Sequence, residues 1–176
     1  MPAPVGLLVR AERSGDPGEV ATIRAVVRRA FGQEDEADLL DALRADPAWL
    51  PDLALVALLG PAPGGPVVGH VAGTRLDVGG GAAVALAPLA VDPDHQRRGV
   101  GSALVEAQLA AARGLDERLV VVLGDPAYYS RFGFRPAREL GITGPYDDAG
   151  EAFQALPLTD GPLVSGWATY AAPFGG

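Results

Sequence analysis

The 176-residue chain contains no cysteine, no lysine and no asparagine, and only one methionine. Without cysteine there is no disulfide framework, no thiolate metal site and no cysteine nucleophile. Without lysine there is no Walker lysine, no Schiff base and no pyridoxal anchor. The two histidines, His70 and His95, leave little from which to build a zinc site, so no metal is expected. The missing Lys and Asn, set beside abundant Ala and Gly, fit high-GC codon usage and bear on the genome rather than on function. The first ten residues, MPAPVGLLVR, lack the basic start and long apolar run of a secretory signal. No stretch reaches the roughly 18 consecutive apolar residues of a membrane span, so no membrane partner and a cytoplasmic location are expected.

All 14 basic residues are therefore arginines, against 22 acidic ones, for a net charge of −8. That balance weighs against nucleic acid as a partner, because affinity for a phosphate backbone comes from clustered cations. A small cationic partner suits the field better. With 48% hydrophobic residues and no visible repeat, the chain reads as a single domain over residues 1–176 with a sizeable core.

Hydrophobic periodicity gives the order of elements. Leu7 to Val9 reads as a first strand ending at Ser14-Gly15-Asp16-Pro17, and Val20, Ile23, Val27 and Ala30 mark a helix capped by Asp16. A second, acidic helix runs from about Glu34 to Ala45 and is closed by Pro47. The apolar runs Leu53 to Leu59 and Pro66 to Leu76 form a hairpin with a Gly- and Pro-rich tip at 60–65, and Ala82 to Val91 is the next antiparallel strand. A helix is predicted over Gly99 to Arg113 and a buried strand over Leu119 to Leu123. A short helix at Pro126 to Phe132 and strands at Phe134 to Ala137 and Leu163 to Tyr170 complete the series, with 141–162 as an ordered excursion.

The chemistry is concentrated where the strand ending Leu89-Ala90-Val91 passes through Gln96-Arg97-Arg98-Gly99-Val100-Gly101-Ser102 into a helix. A helix N-terminus carries amide groups without intrahelical partners, and its dipole favours an anion. Gly99 and Gly101 lack a Cβ, so a diphosphate can approach the backbone closely. A Walker loop is excluded by the missing lysine, and a dinucleotide fingerprint by Leu104, which stands where a third Gly or Ala is needed.

Gln96 to Gly101 resembles the Q/R-x-x-G-x-G/A signature of the GCN5-related N-acetyltransferases, the GNAT superfamily, and Tyr129-Ser130-Arg131-Phe132-Gly133-Phe134 resembles that superfamily's YxxxGF motif. Val68-Gly69-His70-Val71, Gly124 to Phe134 and Ala152 to Leu156 look like its YhbS-like branch. The likeness runs from about residue 5 to 172. It implies a mixed α/β fold, a mostly antiparallel twisted sheet flanked by helices with one parallel, splayed strand pair.

It further implies an enzyme that transfers an acetyl group from acetyl-CoA to a primary amine. Backbone groups of the Leu89-Ala90-Val91 strand would pair with the pantetheine arm, and amides from Arg97 through Ser102, with Gln96, Arg97, Arg98, Gly99, Val100 and Gly101 forming the turn, would hold the pyrophosphate. Tyr129 would donate to the CoA sulfur, with Tyr128 beside it able to take the role. No carboxylate stands in the cofactor strand before Asp92, so the proton acceptor is left among Glu34, Asp35, His70 and water. A non-catalytic acyl-CoA-binding or sensing module, and a preference for a longer acyl chain, stay open. So does a homodimer joined through the C-terminal strand.

Overall fold

The computed structural model describes residues 6–60 and 64–175. Its elements are β1 (Leu7–Ala11), α1 (Pro17–Phe31), α2 (Asp35–Arg44), β2 (Leu55–Leu59), β3 (Val67–Val78), β4 (Gly81–Val91), α3 (Val100–Gly114), β5 (Leu119–Leu123), α4 (Pro126–Tyr129), β6 (Arg135–Pro136), β7 (Ile142–Thr143), β8 (Phe153–Pro157) and β9 (Gly166–Thr169). The strands run in the order β1-β2-β3-β4-β5-β8-β6, with β9 pairing β3 and β7. Pairing is antiparallel except between β4 and β5 and between β7 and β9. The mixed α/β architecture expected from the sequence is the one observed.

Local chemistry explains most boundaries. Asp16 caps α1 by accepting the Gly18 and Glu19 amides, Pro17 opens its first turn, and Gly32 ends it at φ 74°. The second helix follows at once, with acidic residues concentrated in its first turn and Arg44 in its last, both favourable to the helix dipole.

Several expectations need correction. Leu53 lies in a 3-10 turn (Pro51–Leu53), so β2 begins only at Leu55. The final strand starts at Gly166, because Pro162 to Ser165 carries no ladder. The excursion over 141–162 contains β8, a full strand lying between β5 and β6 that periodicity did not reveal. Part of the hairpin tip, residues 61–63, lies outside the described residues.

Both faces of the sheet are covered. Leu104, Val105 and Leu109 of α3 pack against Val71, Val84, Leu86 and Val120 on one face. On the other, Ile23 and Val27 of α1 and Leu40 of α2 cover Val56, Ala72 and Ala90, while Phe153, Ala155, Ala85 and Val121 form an adjoining cluster. Each large apolar side chain so buried contributes about 1.5–3 kcal/mol.

One polar knot sits inside the α1/α2 layer. Glu12, just past β1, accepts hydrogen bonds from His70 Nε2 at 2.6 Å, Arg44 Nε at 2.8 Å and Ser14 Oγ at 2.6 Å. Burial alone would raise the Glu12 pKa, but these donors outweigh it and hold the carboxyl at about 2. The ionised carboxylate can only accept, so His70 carries its proton on Nε2; burial lowers the His70 pKa and keeps the ring neutral.

Both groups make the fold acid-sensitive. Unfolded Glu binds a proton near its ordinary pKa of 4.5 while folded Glu12 resists until about 2. Unfolded His binds one below about 6.5, whereas burial holds folded His70 neutral to a lower pH. Since the unfolded state takes up more protons in this range, stability falls as pH drops from about 6.5 toward 2. Urea unfolding across that range should show the decline, and Glu12→Ala should cost roughly 3–5 kcal/mol at neutral pH by leaving buried His70 without its partner and Arg44 with Asp41 alone.

Candidate active site

β4 and β5 run side by side only from Val84 to Leu86 against Val120 to Val122. Just beyond, β4 bulges: Val71 faces Leu89 and Gly73 faces Leu86, so two steps along β3 match three along β4. The bulge falls on Ala87-Pro88, and proline has no N–H with which to continue the ladder. β5 ends at Leu123 and turns through Gly124-Asp125 into α4. A gap therefore opens between the end of β4 and α4.

The free edge of β4 faces that gap. Asp92 donates its amide to Val68 O at 2.9 Å, and Ala90 stands opposite His70, so strand alternation turns the amide and carbonyl of Leu89 and Val91 away from β3. Gln96 Nε2 donates to Val91 O at 3.1 Å.

The turn into α3 is held from the side. Asp92 accepts the Asp94 amide at 3.0 Å and receives Arg29 Nη1 at 2.7 Å, while Arg29 Nη2 reaches Asp94 at 3.0 Å. Arg97 and Gly99 take left-handed φ values of 58° and 82°. Gly99 is the α3 N-cap and has no side chain to satisfy the first turn, which also carries no acidic residue. By contrast, α1 and α4 are capped by the carboxylates of Asp16 and Asp125. The amides of Val100, Gly101 and Ser102 are left for an external anion.

These features converge on one cleft of about 580 Å³. Of the residues expected to bind the donor, Leu89, Val91, Gln96, Arg97, Gly99, Gly101 and Ser102 line it. Ala90 turns its side chain into the α1/α2 layer, Val100 buries its own against α3's core face, and Arg98 is exposed beside the cleft without lining it. The opposite wall is Asp125, Ala127, Tyr128 and Arg131. The sequence reading named Tyr128 only as a substitute for Tyr129 and overlooked the other three, although Arg131 stands inside the Tyr129 to Phe134 motif.

The paired tyrosines diverge, their ring centroids 5.0 Å apart and their planes 80° to each other. Tyr128 points at the start of α3, where its hydroxyl would lie 2.6 Å from a Cβ placed on Gly101. Tyr129 is 7% exposed and packs on Gly124, where any Cβ would collide with its ring, at the end of β5. It is not among the residues that line the cleft, and its ring sits at the end of β5 next to the gap beyond Leu86. Burial and then the neighbouring Tyr128 push its hydroxyl well above the ordinary phenol range, so it stays protonated.

The site can be set beside known proteins. Residues 52–136 match the family model described as an acetyltransferase (GNAT) domain. The chain is 34% identical to the N-acetyltransferase YhbS of Escherichia coli (strain K12), covering 96% of this chain and 98% of that one. The chain belongs to the GNAT acetyltransferases. A second relative named as an N-acetyltransferase, YjhQ of the same organism, is 38% identical over 74% of this chain and 73% of its own length. Among solved structures, YhbS from Escherichia coli in complex with CoA superposes with a TM-score of 0.85 at 33% identity, covering 99% of this chain and 95% of that one. A GNAT acetyltransferase from Brucella melitensis in complex with acetyl-CoA gives a TM-score of 0.75 at 34% identity, with 96% and 97% covered.

The candidates for proton acceptor lie apart from this cleft. Glu34 is exposed at the α1–α2 junction and pairs with Arg24 and Arg28; Asp35 beside it is exposed; His70 is buried and committed to Glu12. None of the three lines the cleft.

A side chain at Gly101 would occupy the space between the α3 amides and Tyr128. Gly101→Val is therefore expected to raise the Kd for CoA at least tenfold in calorimetry while the chain stays folded; unchanged affinity would remove the anion from this turn.

Proposed function

We propose that the protein transfers an acetyl group from acetyl-CoA to a primary amine of a small molecule or peptide. The observation that carries this reading is the pairing of an unpartnered strand edge at Leu89 and Val91 with the uncapped start of α3. The first offers an amide and carbonyl ladder suited to the pantetheine amides, the second a set of N–H donors suited to a diphosphate. Arg97 adds a charged donor at the same wall. CoA bound to YhbS and acetyl-CoA bound to the Brucella protein support the choice of donor.

Acetyl-CoA supplies an activated acyl group; the chain supplies position and proton handling. The acceptor arrives as an ammonium with a pKa of about 10 and must lose a proton before its nitrogen can attack. With Glu34, Asp35 and His70 all away from the cleft and the Asp125 carboxylate engaged in capping α4, we assign that proton to water. A carbon–nitrogen bond then forms at the thioester carbonyl, the nitrogen gives up a second proton to solvent, and the carbon–sulfur bond breaks.

Tyr129 serves the departing sulfur. It stands at the end of β5 beside the strand gap, whereas Tyr128 is directed to the phosphate end. A phenol held this firmly protonated acts as a hydrogen-bond donor to the thiolate, and solvent completes the protonation. Leu89 and Val91 hold the arm still while this happens, so the carbonyl meets the amine in a fixed orientation.

The decisive measurement is CoA release across a panel of amines, with Tyr129→Phe as control. Acetyl transfer to at least one amine, reduced roughly one to four orders of magnitude in kcat by Tyr129→Phe, is the expected result. CoA binding without release against any amine would make the protein an acyl-CoA sensor, and normal turnover by Tyr129→Phe would discharge that residue from the chemistry.

A further inference from the structure

The cleft contains a cation that the Gln96–Gly101 turn does not provide. Arg10, Arg24, Arg29, Arg44 and Arg75 each rest on a carboxylate at 3.0 Å or less. Among the described residues Arg131, like Arg97 in the turn opposite, lines the cleft with no carboxylate partner. A guanidinium without a counterion, facing a cleft already built for a diphosphate, is a receptor for more negative charge.

Its position along the cleft says which charge. The unpaired edge of β4 lies at one end, the amides of α3 in the middle, and Arg131 across from Ser102, with its Nη2 at 3.4 Å from Ser102 Oγ. A CoA molecule laid in that direction places its pantetheine on Leu89 and Val91 and its diphosphate on the turn. The group that follows in CoA is the ribose with its 3′-phosphate, and beyond the turn on that side, next to Ser102, stands Arg131. Arg131 is also fixed in advance: its Nε donates to Tyr128 O at 3.1 Å and its guanidinium lies 4.5 Å over the Tyr128 ring and 5.3 Å from that of Phe132. Among the described residues Nη1 has no partner and Nη2 makes only the long contact to Ser102, so the fork can turn to a ligand with little rotamer freedom left to lose on binding.

We propose that Arg131 is the receptor for the ribose 3′-phosphate and thereby the residue that selects CoA over 3′-dephospho-CoA. The proposal rests on the acetyl-CoA reading above and adds to it a determinant of donor specificity outside the glycine turn.

Isothermal calorimetry with CoA and 3′-dephospho-CoA tests it on the full chain. The wild type should bind CoA at least tenfold more tightly. Arg131→Gln should raise the Kd for CoA roughly 10- to 100-fold, the range of a charge-assisted hydrogen-bond pair, and change that for dephospho-CoA by less than about twofold. Arg131→Lys should recover part of the loss, since it keeps the charge without the fork. Equal losses for both nucleotides would assign Arg131 to the diphosphate and overturn the proposal, as would no loss for either. Should Arg131→Gln fail to fold, the wild-type comparison decides alone, equal affinity for the two nucleotides overturning the proposal. Binding of neither nucleotide by the wild type would instead bring down the acetyl-CoA reading itself.

Discussion

β4 runs out of partner halfway along its length, and the candidate site follows from that interruption. A strand in the interior of a sheet ordinarily satisfies both edges. Here the bulge at Ala87-Pro88 turns the strand out of register, and pairing with β5 does not continue past Leu86. Unpaired backbone groups are tolerable only where water or a ligand can reach them, because a buried unsatisfied group costs about 1–3 kcal/mol. The fold leaves this edge facing a cleft, and the same chain then enters a helix whose first turn has no side-chain cap. Two ordinary defects, a ladder broken at Ala87-Pro88 and a helix uncapped at Gly99, border the same cleft.

That concentration is why so much was readable in the residues. A strand-like Leu-Ala-Val run leading through Gln96 to Gly101 into a periodic helix specifies both defects locally, without reference to distant parts of the chain. Asp16 ahead of Pro17 and the apolar run at Leu119 to Leu123 are equally local, and both elements stand where expected. β8 was not legible for the opposite reason. Phe153-Gln154-Ala155-Leu156-Pro157 is short, breaks alternation by burying a glutamine, and becomes a strand because β5 and β6 hold it on either side. Gln154 is accommodated by donating to Gly124 O, a contact that no spacing in the sequence announces.

The same distinction governs the site. The glycine turn is a continuous segment, whereas Tyr128 and Arg131 belong to the cleft only because α4 folds back over the start of α3. From the sequence, adjacent tyrosines are interchangeable; in the fold, a single turn sends one ring to the start of α3 and the other to the end of β5. The proton acceptor escapes sequence reading because no carboxylate in β4 precedes Asp92, so a carboxylate relay within that strand is missing.

The Gln96 side chain gives the open strand edge a second property. An exposed edge of suitable length is a template on which another chain can add a strand, the route by which many sheets aggregate. By placing its amide on the Val91 carbonyl, Gln96 shields the outermost acceptor of a stretch that is already only three residues long between the bulge and the turn. What remains, three residues with one acceptor already occupied, is a poor template for intermolecular β-pairing.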